Sequence, residues 1–197
     1  MAKVKLRDDY REFENGMTAL DIAKSIGAGL YKTVCVCRIN GELKDLRTPV
    51  NGDCELEFLT FDDEDGKKTY RHTASHILAQ AVKRLYPEAK LAIGPAIDNG
   101  FYYDFDVPAP FTPEDLEKIE AEMKKIVKED LSLEHFEMTP EEAIKYYEDK
   151  GEIYKVELVR EHAGKGENIS FYKQGDFTEL CAGPHIPSTG RVKAFKL

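Results

Sequence analysis

No stretch of this 197-residue sequence is long and apolar enough to cross a bilayer, which excludes a helical membrane span. The opening residues, MAKVKLRDDY, carry no apolar core ahead of a cleavage site, so no secretory leader is expected. Cysteine is sparse: Cys35, Cys37, Cys54 and Cys181 lack the spacing of a disulfide framework, and a reducing cytoplasm is the expected compartment. Internal repeats and low-complexity tracts are missing as well. Basic charge is in short supply: nine basic residues face ten acidic ones over residues 1–60, and 19 face 27 over residues 61–197, for a formal net charge of −9. The bulk field therefore repels nucleic acid, and such a ligand would need local basic patches or help from other parts of a larger molecule.

What is present suffices for one or two compact domains, with 42% hydrophobic residues including ten Phe and ten Tyr. Residues 1–61 read as a small β-rich domain with one helix. Val4 and Leu6 begin a strand, and Thr18 caps a helix starting near Ala19, with Asp21 placed to reciprocate. Val34–Ile39 and Glu42-Leu43 flank Asn40-Gly41, a pair suited to a tight hairpin, and Glu55–Phe58 supplies a last strand. One helix across a mixed sheet predicts a ubiquitin-like β-grasp. The charged run Asp62–Lys68 has no apolar face, and residues 62–69 are expected to be a linker.

Residues 70–197 read as a larger α+β domain. Leu78, Val82 and Leu85 predict a helix over about residues 70–86. Asp98-Asn99-Gly100 between Leu91–Ile93 and Phe101–Phe105 predicts a hairpin. Thr112-Pro113-Glu114-Asp115 opens a helix to about residue 129, and Thr139-Pro140-Glu141-Glu142 opens a shorter one ending near Gly151. Strands are expected at Tyr154–Val159 and Ser170–Lys173, before an irregular loop over Cys181–His185. The acidic runs Glu114–Glu122 and Glu141–Glu152 read as solvated helix faces.

His72 and His76, four apart on a predicted helix, share one face and could share a ligand, or could be ordinary helix surface and packing. Thr73 stands where a zinc-protease HExxH would have its glutamate, so that chemistry lacks its base. Cys181 and His185 are also four apart, across a Gly183-Pro184 turn. With the first pair they make a donor set that suits tetrahedral zinc, while the plainer reading makes Cys181 a small buried hydrophobe. Cys35 and Cys37 alternate along a strand as packing residues, and His135 and His162 have no companion at a useful spacing. Lys155 reads as a solvent-facing strand residue. Glu179, two before Cys181, shares its side if that segment is extended.

The strings Arg71-His72-Thr73-Ala74-Ser75-His76, Ala92–Asp104 and Leu180-Cys181-Ala182-Gly183-Pro184-His185 together resemble bacterial threonyl-tRNA synthetases. The resemblance covers the whole chain: residues 1–60 look like the TGS domain, and 70–197 look like the editing, or second additional, domain. It stops where a class II catalytic core would begin. It implies hydrolysis of the ester in mischarged Ser-tRNA(Thr), with His72, His76, Lys155, Cys181 and His185 catalytic and with Tyr103, Glu179 and Gly94 binding substrate. His72 is the first choice of general base and His185 the second, Lys155 the oxyanion partner, and Cys181 a positioning group. The resemblance implies aspartate where this chain has Glu179. The resemblance further implies no metal, with zinc at His72, His76, Cys181 and His185 as the alternative. Expected partners are serine-charged tRNA(Thr) and the catalytic and anticodon-binding domains of the same enzyme, with no membrane and a monomeric fragment. No ATP use or aminoacylation is expected. Competing readings are an alanyl-type editing hydrolase, which shares the paired HxxxH and CxxxH, a non-catalytic RNA-binding or regulatory module, and a metal-storage or structural zinc protein.

Overall fold

A computed structural model describes residues 1–164 and 168–197, and the chain divides into two compact units. The first comprises Met1–Arg71 with Gly183–Pro187, and the second His72–Ala182 with Ser188–Leu197.

In the first unit β1 (Ala2–Leu6) pairs antiparallel with β2 (Asp9–Phe13), and α1 (Ala19–Ile26) and the short α2 (Ala28–Thr33) follow. Thr18 and Asp21 form the capping box at the start of α1. Next come β3 (Val34–Ile39), β4 (Glu42–Lys44) and β5 (Cys54–Thr60). Asn40 and Gly41, at φ of 51° and 83°, turn β3 into β4 as their tolerance of positive φ allows. The sheet order is β2-β1-β5-β3-β4, with β1 parallel to β5. Ala19, Ile22 and Ala23 of α1 are buried against Val4, Val34 and Leu56 of the sheet. This is a β-grasp. The sequence reading did not include β2 or α2. Most of β2 is exposed, so it offers no alternating apolar signature, and α2 has only six residues, none fully buried.

The charged run is helical from Glu64, because α3 spans Glu64–Leu85 and not residues 70–86. Thr60 and Asp63 exchange hydrogen bonds, Lys67 N donates to Asp63 O, and Glu64 pairs with Lys68 one turn on. Gly66 is required there: a Cβ would lie 1.7 Å from the Thr60 carbonyl oxygen.

In the second unit, Thr73–Val82 of α3 are buried without interruption, as in a helix enclosed on all sides. Two short ladders build the expected hairpin: β6 (Lys90–Leu91) pairs with β9 (Phe105–Asp106), and β7 (Ala96–Ile97) with β8 (Gly100–Phe101). Thr112 caps α4 (Pro113–Glu129) and Thr139 caps α5 (Pro140–Asp149), each with a capping box and a proline in the first turn. An antiparallel sheet of β10 (Leu133–Met138), β11 (Ile169–Gln174) and β12 (Phe177–Leu180) completes the unit. Segment Ile153–Ala163 is helix α6 and not the expected strand. Tyr154-Lys155-Val156-Glu157-Leu158 alternates locally, but Lys155, Val156 and Val159 are the residues that bury, the spacing of a helix face. Val156 and Val159 join Ala143, Tyr147, Ile169 and Phe171 in one apolar cluster.

The acidic faces are less solvated than expected: Glu120, Glu122 and Glu152 are buried. Glu152 stands at the N-cap of α6, with Oε1 2.7 Å from Lys83 Nζ and Oε2 accepting from Leu91 N at 3.0 Å. Lys83 Nζ also donates to the carbonyls of Pro87 and Ala89, at 2.8 Å each.

Candidate functional site

Apart from His185, the hydrolytic residues suggested by the sequence fall in the second unit. His72 and His76 leave the same face of α3 one turn apart, with ring centroids 5.1 Å apart and planes crossing at 86°. β12 alternates Phe177 and Glu179 inward, and Cys181 continues that side one residue past the strand, its N–H donating to Ser170 O at 3.0 Å. Lys155 comes from α6 and Tyr103 from the segment between β8 and β9.

At the centre Lys155 Nζ stands 2.7 Å from Glu179 Oε1, and Tyr103 OH donates to Glu179 Oε2 at 2.7 Å. All three side chains are buried. The lysine contact is an ion pair whose angle departs from that of a good hydrogen bond, and the phenol contact is a well-formed one. Lys155 Nζ also lies 5.5 Å from the Tyr103 ring centroid. Burial, with the Glu179 charge second, pushes the Tyr103 phenol well above its ordinary range, so it remains an O–H donor. Burial likewise drives the His76 imidazole well below its ordinary value, with His72 and then Lys155 adding to the effect. His76 is therefore neutral near pH 7.

His72 is half-buried, and its Nε2 lies 3.4 Å from Cys181 Sγ. This contact gives the thiol a neighbouring imidazole that sequence spacing did not reveal. Gly94 packs closely against the Tyr103 ring: a Cβ would sit 2.0 Å from the ring Cδ2. Ser75 Oγ lies 2.7 Å from both the Gly94 and His72 carbonyl oxygens, so its single hydrogen ties the Gly94 loop to α3. Ligand atoms of His72, His76 and Cys181 all lie within 4.8 Å of one another. Tetrahedral zinc needs donors about 3.3–3.8 Å apart, a spacing that His72 Nε2 and Cys181 Sγ, at 3.4 Å, already meet.

His185 belongs to the Gly183–Pro187 segment, which packs with the first unit. It is fully buried there, its N–H donating to Asp45 Oδ2 at 3.2 Å and its carbonyl accepting from Arg47 Nη1 at 3.1 Å.

Comparison with known proteins finds family models over two stretches of the chain. The model described as the TGS domain matches residues 3–60, and the one described as the threonyl and alanyl tRNA synthetase second additional domain matches residues 169–197. Threonine–tRNA ligase of Acetivibrio thermocellus is 64% identical over 198 aligned positions, taking in 100% of this chain and 31% of that protein. The ligases of Clostridium tetani and Caldanaerobacter subterraneus are 63% and 60% identical, over 100% and 98% of the chain and 31% and 30% of their own lengths. This chain is homologous along its whole length to threonine–tRNA ligases. It spans about a third of the length of these relatives. The sequence motifs pointed to the same threonyl-tRNA synthetase homology, and the β-grasp, matched as TGS, was legible in the turns and caps.

Within this threonine–tRNA ligase homologue, sequence reasoning missed two residues that support the centre. Tyr147 OH accepts from Leu180 N at 2.7 Å, fixing the end of β12 between Glu179 and Cys181. Ser75 sits inside a motif string without a role of its own there. A buried tyrosine on an otherwise amphipathic helix is the only local signal for the first. Among the described residues no helix is long and apolar enough to cross a membrane.

Proposed function

We propose that the second unit hydrolyses the ester linking serine to the terminal ribose of tRNA(Thr) and spares threonine. The observation that carries this reading is the buried Lys155–Glu179–Tyr103 constellation in the same unit as the His72–Cys181 pair, in a chain homologous to threonine–tRNA ligases. The need for it is physical: a site built for threonine gains only about 1–3 kcal/mol from the methyl that serine lacks, too little for faithful selection. A second pocket uses the methyl to exclude threonine instead.

In this reading His72, the more exposed of the pair, takes a proton from the attacking water, with His185 as the second candidate base. His76, held neutral by its surroundings, serves as a hydrogen-bonding partner in place of a cation. Lys155 meets the negative charge that develops on the carbonyl oxygen, and its pairing with Glu179 fixes it in place beforehand. Glu179 takes the serine amine and Tyr103 the serine hydroxyl, while Gly94 leaves room for the tyrosine ring. The leaving ribose oxygen takes its proton from a histidine, a water or the neighbouring ribose hydroxyl. Cys181 orients His72 and forms no covalent intermediate. The centre has its own cation in Lys155, which supports a metal-independent reaction. Zinc, if held by His72, His76 and Cys181, would supply Lewis-acid activation of water. The chain alone neither uses ATP nor forms aminoacyl-tRNA, and with a net charge of −9 it binds tRNA weakly without further domains.

The test is serine release from Ser-tRNA(Thr), alongside Thr-tRNA(Thr) and Ser-tRNA(Ala), using metal-stripped chain with His72→Ala as control. Selective release from the first substrate, lost in the control, is the expected result. Preference for Ser-tRNA(Ala) would establish the alanyl-type reading instead, and no release from any substrate would leave a binding role.

A further inference from the structure

The Gly183–Pro187 segment packs within the β-grasp unit. The loop after β4 is anchored firmly. Leu46 and Val50 are buried in the β-grasp core, and the Leu46 and Thr48 carbonyls accept from Leu20 N and Ala19 N, donors that the first turn of α1 leaves without a helical partner. From this platform the Arg47 guanidinium reaches three consecutive carbonyls. Nη1 donates to His185 O at 3.1 Å, and Nη2 donates to Ile186 O at 3.0 Å and Pro187 O at 3.1 Å. Asp45 completes the clamp, with Oδ1 accepting from Arg47 Nη1 at 2.8 Å and Oδ2 from His185 N at 3.2 Å. Residues 185–187 are all buried, so their carbonyls depend on protein donors in place of water.

We infer that Arg47, together with Asp45, is a positioning residue for His185, fixing the backbone of the segment that carries it. A planar guanidinium with several donors in fixed directions can satisfy three carbonyls only when the backbone curves around it, so it specifies the path of the chain and not merely its neutralisation. A lysine, with one compact charge on a flexible stem, would hold fewer of them. The catalytic consequence rests on the reading above that His185 serves ester hydrolysis; the positioning itself does not.

The test uses the EDTA-treated 197-residue chain with Arg47→Ala and Arg47→Lys, and with Asp45→Asn in case the alanine variant does not fold. Long-range proton–nitrogen spectra, assigned with His185→Gln, report the His185 ring. Methyl signals of Ile22 and Leu56 report the β-grasp core. The expected result is that the His185 ring signals and the Ile186 amide shift or broaden in Arg47→Ala, recover in part in Arg47→Lys, and do so while the core methyl signals stay in place. Asp45→Asn should give the same change in smaller measure. In the same samples kcat for serine release should fall about ten- to a hundredfold with KM little changed, as expected for a misplaced catalytic group. Unchanged His185 signals in a folded Arg47→Ala chain would overturn the inference, as would changes that appear only together with loss of the core methyl signals. Shifted His185 signals with undiminished serine release would support the positioning and remove His185 from the hydrolytic site.

Discussion

Lys155 and Glu179 form an ion pair in which both side chains are almost wholly withdrawn from water, at 4% and 2% exposure. Breaking such a pair by removing one partner leaves a buried charge, at a typical cost of about 3–5 kcal/mol. Lys155→Met and Glu179→Gln should each lower stability on that scale in urea denaturation. The double variant should be less destabilised than the sum of the two, while serine release is lost in all three. Additive losses in stability would mean that the two groups do not act as a pair.

Gly94 gives a steric prediction. Because a Cβ would overlap the Tyr103 ring, Gly94→Ala should displace that ring, weaken the Tyr103–Glu179 hydrogen bond and cost about 1–3 kcal/mol. In a Tyr103→Ala background, where the ring is gone, Gly94→Ala should cost little further stability, and activity should be absent from both backgrounds. Thermal unfolding of the single and double variants decides between this close contact and a position that tolerates any small residue.

The acid limb of stability should contain a contribution from Asp115. Hydrogen bonds from the Thr112 backbone and hydroxyl, and then from Tyr86, hold its carboxyl down at about 2. A carboxyl whose folded value lies below its unfolded value of about 3.8 stabilises the fold above that unfolded value, and the stabilisation fades as pH falls toward 2. Asp115→Asn should flatten the pH dependence of the melting temperature in that window and leave its slope between pH 6 and 8 as it was. An unchanged acid slope would exclude the effect.

Cys181 separates two chemistries. If it orients His72, Cys181→Ser should retain measurable serine release, reduced by about tenfold or less, with no covalent adduct in quenched samples examined by mass spectrometry. A seryl thioester on the wild-type chain would make the cysteine a nucleophile. Chelator treatment should leave wild-type turnover intact, and its restoration only by added zinc would assign the His72, His76 and Cys181 donors to a metal.

Legibility in the sequence followed the range of the interaction. Thr18, Thr112 and Thr139 announced their helices because a cap and its reciprocating acid lie three residues apart, and Asn40-Gly41 announced a turn because positive φ is a local demand. Segment Ile153–Ala163 was misread because five alternating residues look alike in a strand and on a buried helix, and partners on α5 and β11 decide between them. The site residues were named through a family resemblance. The contacts that give them character, Lys155 to Glu179 and His72 to Cys181, join residues 24 and 109 positions apart and leave no periodic trace.

Glu152 has a consequence for how the lysine reaches the centre. Its carboxylate ties the start of α6 to Lys83 near the end of α3 and to the backbone of β6, and its own carbonyl accepts from Lys155 N. One acid thus sets the azimuth of α6, and with about 100° between successive residues, an error of a single position would swing the ammonium group out of the protein. Lys155 and Glu152 are therefore tied by a phase relationship: a chain that exchanged the anchor for a neutral residue would have to index this helix by some other contact or carry its cation on a different turn.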